Sequence, residues 1–353
     1  MKKLASLLAI LALACVANAR AQEFTSVAQI EKDGTYLDAF NIQGEYLWPE
    51  GFGGAAFQVI ARGADKFDVV GYQGGLPGNG WDRSKARFFG QGEIKDGKLV
   101  VSGVKMNIPR KGDEADVIFN DEQKARKLIA TIEDGKYYLQ NGDKKSELIK
   151  VDRESETLGQ KAPEGAVVIW DGKDHGMFEG EFKPSDQQED ALWSEFRVKP
   201  FERGKAYQLH IEFMLSFMPN ATGQARSNSG VYIQEEYECQ VLDSFGLNGE
   251  NNECGGFYQQ LIPEVNMCFP PLTWQTYDFD VTPAKYEDGK KVANAHIIVK
   301  HNGVQIHDAE LEHETPGGKN EKDEATETTG RGIFLQGHGN KVQYRNIWMK
   351  YKD

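Results

Sequence analysis

NSGVYIQEEYECQVLD, residues 228–243, is the stretch from which the fold can be read. Val231 and Ile233 share one parity and Tyr232 and Gln234 the other. After a short turn at Glu235 and Glu236 the chain resumes as Tyr237, Glu238, Cys239, Gln240 and Val241. Successive side chains of a strand point to opposite faces, so Tyr237, Cys239 and Val241 form an apolar face while Glu238 and Gln240 project together from the other. A sandwich gives this pattern when one sheet is open to a ligand; a plainly solvated outer face gives it too.

Outward from this hairpin the same alternation recurs in LWSEFRV (192–198), AYQLHIEFMLS (206–216), WQTYDFDV (274–281), NAHIIVKHNGV (294–304) and VQYRNIWMKY (342–351). No amphipathic helix separates these runs, which predicts two packed antiparallel sheets over residues 164–353. Towards the N-terminus, AAFQVIAR (55–62), KFDVVGYQ (66–73), KLVVSGV (98–104), KLIATI (127–132), KYYLQ (136–140) and ELIKV (147–151) predict a small antiparallel β domain over residues 22–154. AspGly at 96–97 and 134–135 supplies the positive φ of tight hairpins. Only residues 121–128 look helical. Residues 155–163 are polar and without periodicity, so they read as a mobile linker.

Residues 1–21 carry Lys2 and Lys3, an apolar run over 4–17 and small residues before Ala21, the pattern of a secretory signal peptide; a lipoprotein anchor on Cys15 is the rival. A periplasmic or secreted location is therefore expected. That apolar run is too short to span a membrane, and no later stretch is long and apolar enough. The chain has 353 residues and a formal charge of -13. Loss of the leader's three cations leaves 38 Lys and Arg against 54 Asp and Glu, or -16. That balance argues against a nucleic-acid partner. In an exported protein Cys254 and Cys268 are the natural disulfide pair and Cys239 a buried thiol.

Five ordered motifs carry a family resemblance: NSGVYIQ (228–234), YECQVLDSFG (237–246), WQTYDFDVTPAKY (274–286), HNGVQIHD (301–308) and GIFLQGHGNKVQYRNIWMKY (332–351). Together they resemble the 3-keto-disaccharide hydrolase domain family. The resemblance implies an all-β, concanavalin A-like jelly-roll acting on glycosides already oxidised to a ketone at sugar carbon 3. YQGGLPGNGWD (72–82) is similar to an N-terminal module that accompanies this domain in some bacterial members. The turn at Glu235 and Glu236 departs from the family, where a glycine-containing turn is usual.

A ketone at carbon 3 acidifies the proton on carbon 2 and makes the glycosidic oxygen on carbon 1 a β leaving group. Cleavage by elimination and then hydration needs a base, an acid and a donor near the ketone. Glu238 is the leading carboxylate and expected acid, and His338, in GlnGlyHisGly, is the expected base, because an imidazole titrates near neutral pH. Asp243 is a companion carboxylate if a bend intervenes, and otherwise a turn residue. Arg226 is the cation for enolate charge, preferred to Arg345. Asn228, Gln240, Gln336, Tyr232 and Trp274 are candidate sugar contacts. His301 and His307 read as turn and edge residues beside AsnGly. No cofactor and no required metal are expected. The partner is a glycoside or oligosaccharide. A non-catalytic lectin module and a conventional glucanase are the alternatives, the latter lacking its paired-carboxylate strand here.

Overall fold

A computed structural model describes residues 22–48, 54–108, 117–120, 128–133, 136–141, 144–202, 204–316 and 331–352. The expected leader (1–21), the helix-like run 121–127 and the AspGly at 134–135 lie outside these residues.

The N-terminal strands close into a ring. Gly44–Leu47 pairs with Ala56–Ala61, which pairs with Lys66–Tyr72, then Arg87–Lys95, then Lys98–Ile108. From there the order runs through Leu128–Glu133, Lys136–Asn141 and Lys144–Val151 back to Gly44–Leu47, all antiparallel. Closure removes the exposed edges that a small open sheet would present. The hairpin joining Arg87–Lys95 to Lys98–Ile108 turns at Asp96 (φ 52°) and Gly97 (φ 72°), both in the left-handed region. Two short helices, Val27–Asp33 and Leu37–Ile42, which the sequence reading did not anticipate, bury Ile30, Ala39 and Ile42 in one cluster with Val59, Phe67 and Leu99 of the barrel and Phe217 of the second module.

The second module is a sandwich of two antiparallel sheets, as the alternation implied. One sheet orders Lys183–Pro184, Leu192–Trp193, Gln343–Tyr351, Tyr207–Met214, Trp274–Thr282, Ala295–His301 and Val304–Leu311, with Val167–Trp170 also on Gln343–Tyr351. The other orders Phe178–Glu179, Phe196–Val198, Ile333–Leu335, Ser229–Ile233 and Tyr237–Val241. Between them Leu209, Ile211, Phe213, Val231, Ile233, Cys239, Ile297 and Val299 are buried, each at the inward parity of its strand.

Two sequence expectations are corrected and a third is refined. Residues 155–160 do not hang free: the Gly159 N–H donates to Glu212 Oε1 (2.6 Å), Thr157 donates to Asp278 (2.6 Å), and Asn346 and Trp348 donate to the Gln160 carbonyl (3.0 and 3.1 Å). The segment's polarity is spent on the outer face of the larger sheet. Cys239, Cys254 and Cys268 are all free and buried, so the expected disulfide is not formed. His301 and His307 do take the places read for them, beside the AsnGly turn and on the last strand of the sheet, but both side chains are buried. Desolvation pushes their imidazoles down, to about 3 and about 4. The parity that His301 shares with Ile297 and Val299 carried this signal.

The two modules are pinned together by arginines of the first. Arg83 donates to the carbonyls of Gly249 (2.7 Å), Pro263 (2.9 Å) and Glu264 (3.0 Å), and Arg87 donates to Asn248 (2.5 Å). Arg153 grips Glu45 with two 2.6 Å bonds and lies 4.9 Å from the Phe269 ring centre. Among the described residues no helix is long and apolar enough to cross a membrane.

Candidate active site

Register brings the candidate residues together. Tyr232 opposes both Glu238 and Phe334, and Phe334 opposes Arg197, so these four side chains share the outer face of the five-stranded sheet. The Tyr232 hydroxyl donates to Glu238 Oε2 at 2.9 Å, and the Gln336 side-chain amide donates to the Tyr232 oxygen at 3.3 Å. Gln336 Oε1 is buried without a partner, leaving an acceptor beside this pair.

Glu238 is 4% exposed. Burial raises its carboxyl to about 7, against the opposing pull of the Tyr232 hydrogen bond. Burial and the neighbouring Glu238 push the Tyr232 hydroxyl up, so it stays protonated and remains a donor. Room for the carboxylate comes from Gly230: a Cβ there would stand 2.9 Å from Glu238 Cγ and 3.0 Å from Cδ. The backbone of Glu238 is held on one side by Thr315, whose hydroxyl accepts from its N–H at 2.8 Å. On the other, Tyr258 donates to its carbonyl at 3.0 Å. Glu236, of the same parity as Glu238, is pushed up to about 8 by burial and by Glu314.

The remaining candidates divide. Gln240 donates to Asn228 and to the Ser229 carbonyl (both 2.8 Å), and Asn228 donates to Gln224, so this pair supports the strand edge next to Glu238. His338 is exposed on a loop and lines a cavity of about 480 Å³ with Gln224 and Asn340. Asn340 in turn accepts from the Asn228 N–H at 2.9 Å. Among the described residues no hydrogen bond joins His338 to Glu238 or Tyr232, although Gln336, two residues before it, reaches Tyr232.

Arg226 and Asp243 meet each other and not Glu238. They form a buried ion pair, Nε to Oδ2 2.6 Å, because the chain leaves the strand after Val241 and bends at Asp243. Trp274 belongs to the other sheet, where the Arg345 guanidinium lies 4.1 Å from its ring centre. Arg345 is itself bound to Glu212 at 2.7 Å. Neither therefore reaches the Glu238 row.

Sequence reading missed Gly230, Arg197 and Phe334. Arg197 stacks 4.1 Å from the Phe334 ring centre and pairs with Glu235. Phe334 and Tyr232 lie 5.6 Å apart, an aromatic surface beside the carboxylate. Their partnership arises from strand pairing across about a hundred residues, which alternation within one strand does not reveal.

No curated protein matches this chain. Among solved structures, one protein of Parabacteroides distasonis described as a candidate glycosyl hydrolase is 26% identical over 54% of this chain and 85% of its own, with a TM-score of 0.47. A second with the same description from that organism is 17% identical over 57% of this chain and 100% of its own, with a TM-score of 0.39. The sequence model of the 3-keto-alpha-glucoside-1,2-lyase-like domain matches residues 153–350, and the chain belongs to that family of carbohydrate-active proteins.

Proposed function

We propose that the protein is an exported enzyme that cleaves 3-keto-glycosides by elimination and hydration, with Glu238 as its proton-transfer group. The carrying observation is Glu238 itself: a buried carboxylate shifted to about 7, in contact with a hydroxyl that stays protonated. Near neutral pH such a group exists in both forms, which suits a residue that must accept and return a proton.

In the first step Glu238 takes the carbon 2 proton, the electron pair forms the carbon 1–carbon 2 double bond, and the carbon 1–oxygen bond breaks as the leaving oxygen takes a proton from solvent water. Negative charge grows on the carbon 3 oxygen, where the Tyr232 hydroxyl is the fitting donor. In the second step water adds its oxygen to carbon 1 and gives up one proton to solvent, replacing the one that left with the aglycone, while protonated Glu238 returns a proton to carbon 2, completing net hydrolysis. Gln336 Oε1 is the acceptor for a sugar hydroxyl, and the Tyr232–Phe334 surface is the place for a ring. This reading gives Glu238 the base role that the sequence had assigned to His338, because the donor touching Glu238 is a hydroxyl and His338 stands on the exposed loop.

The test compares a 3-keto-glucoside carrying a chromogenic aglycone with its unoxidised parent. Release from the keto compound alone is expected. Release from the parent at a similar rate contradicts the proposal, and binding without release points to a lectin.

A further inference from the structure

The seam between the barrel and the sandwich holds two cavities, of about 660 and 490 Å³, that share Arg62, Asp68, Gln91 and Leu247 in their walls. They form one groove, each part within the size range of ligand sites. Both parts carry an arginine with an unmet donor. Arg226 lines the first; its Nε is bound to Asp243, while its Nη2 is buried without a partner. Arg87 lines the second, and its Nε is likewise buried without a partner. Unmet buried donors are costly, and a ligand oxygen would satisfy them.

The charges in the walls decide the ligand. Arg62, Lys66, Arg87 and Arg226 face Asp68, Glu93, Asp243 and Glu253, four against four. Arg62 is paired with Asp68 at 2.5 Å and Lys66 with Glu93 at 2.7 Å. A polyanion needs a net positive wall, which is absent here. A hydroxyl both donates and accepts, so it matches a guanidinium beside a carboxylate. Phe89 and Phe67 add apolar faces.

We infer that this groove is a second carbohydrate site, which binds a neutral oligosaccharide at the seam, apart from the Glu238 site. The sugar class rests on the function proposed above; the groove does not. It opens at the end of the hairpin away from its turn: Val241 pairs with Ser229 three positions beyond the Glu238–Tyr232 pair, roughly 10 Å along the strand. The barrel thereby supplies half of a binding surface that neither module has alone.

The test is calorimetric titration of the full-length Glu238→Gln protein with maltotetraose, cellotetraose, laminaritetraose, mannotetraose and tetragalacturonate. Binding of at least one neutral tetrasaccharide is expected, weakened about tenfold or more by Arg62→Ala. Thr222→Trp, an exposed position in the first cavity, should block it sterically. No neutral binding, tightest binding by the uronate, or affinity unchanged in both variants overturns the inference. Arg62→Ala and Thr222→Trp in the otherwise native protein should release the short chromogenic 3-keto-glucoside at the native rate; a matching fall in both would place the groove within the reaction site and overturn a separate one. If the native protein lacks that turnover while groove binding persists, the proposed function fails and the groove stands.

Discussion

Replacing Gly230 with alanine separates the chemistry of Glu238 from the stability of the fold. Gly230 does not occupy the left-handed region, so alanine meets no backbone penalty there. Its Cβ, however, would lie 2.9 Å from Glu238 Cγ, and ordinary contact begins at 3.4 Å, so the side chain must retreat by about 0.5 Å at Cγ and further at its end. What gives way is a flexible side chain, not backbone, so the destabilisation should stay at the low end of the overpacking range, about 1 kcal/mol. A displacement of about 0.5–1 Å at a reacting group is enough to cost roughly ten- to a hundredfold in rate. The assay is kcat on a chromogenic 3-keto-glucoside across pH, with a thermal melt of the same sample. We expect a folded protein with kcat down by that factor, and the limb of the pH–rate profile near 7 moved towards the ordinary carboxylate range as Glu238 meets water. Native kcat with an unmoved limb would refute the placement of Glu238 as the proton-transfer group.

Other outcomes follow from the same geometry. Glu238→Gln should cost about 10²–10⁴ in rate and stay slow even with a nitrophenolate leaving group, since the carbon 2 proton must still be removed; recovery on that substrate would make Glu238 the acid instead. The same variant reports on stability. A carboxyl raised from 4.5 to about 7 in the fold makes the native state bind the extra proton, so native stability falls as pH rises between those values. The stability of Glu238→Gln relative to the native protein should therefore grow from pH 4.5 to pH 7, by up to about 3 kcal/mol, and chemical denaturation at both pH values checks it. Gln234→Gly should stabilise the protein by about 1 kcal/mol, because Gln234 and Glu235 hold the hairpin turn at φ 54° and 57°, where glycine is unstrained; an unchanged denaturation midpoint contradicts this. Glu212→Ala should remove about 3–5 kcal/mol and expose residues 155–163 to protease, since that carboxylate binds Arg345, Asn346 and the Gly159 N–H. Equal resistance in the native and variant proteins counts against the docked segment.

The sandwich was legible because its strands are long and alternate cleanly; the Tyr232–Glu238 pair was not, because the turn read at Glu235 and Glu236 instead begins at Gln234, with Gln234 and Glu235 in the left-handed region, and that shift sets the register. Barrel closure was not, since RFFGQGEIK (87–95) hides its strand behind two glycines and closure depends on pairing Glu45 with Val151 across the module. Polarity alone cannot tell a solvated linker from one whose hydrogen bonds end on a distant sheet, which is why residues 155–163 read as mobile. Glu212 shows the cost of that blindness in reverse: burial pushes its carboxyl up, yet hydrogen bonds from His210, Asn346 and Arg345 outweigh burial and hold it at about 2. Likewise Asp243 is drawn to Arg226, 17 positions away, by a bend that no alternation rule specifies.

Elimination makes removal of the carbon 2 proton part of bond cleavage, and this is the step on which everything else depends. The direct measurement is the rate of aglycone release from a 3-keto-glucoside with deuterium at carbon 2, against the protium compound, under single-turnover conditions. A substantial primary isotope effect, absent from any residual cleavage of the unoxidised glucoside, is the predicted result. Equal rates for the two isotopologues, with deuterium fully retained in the released 3-keto sugar while the acid–base group exchanges freely with solvent, would contradict it.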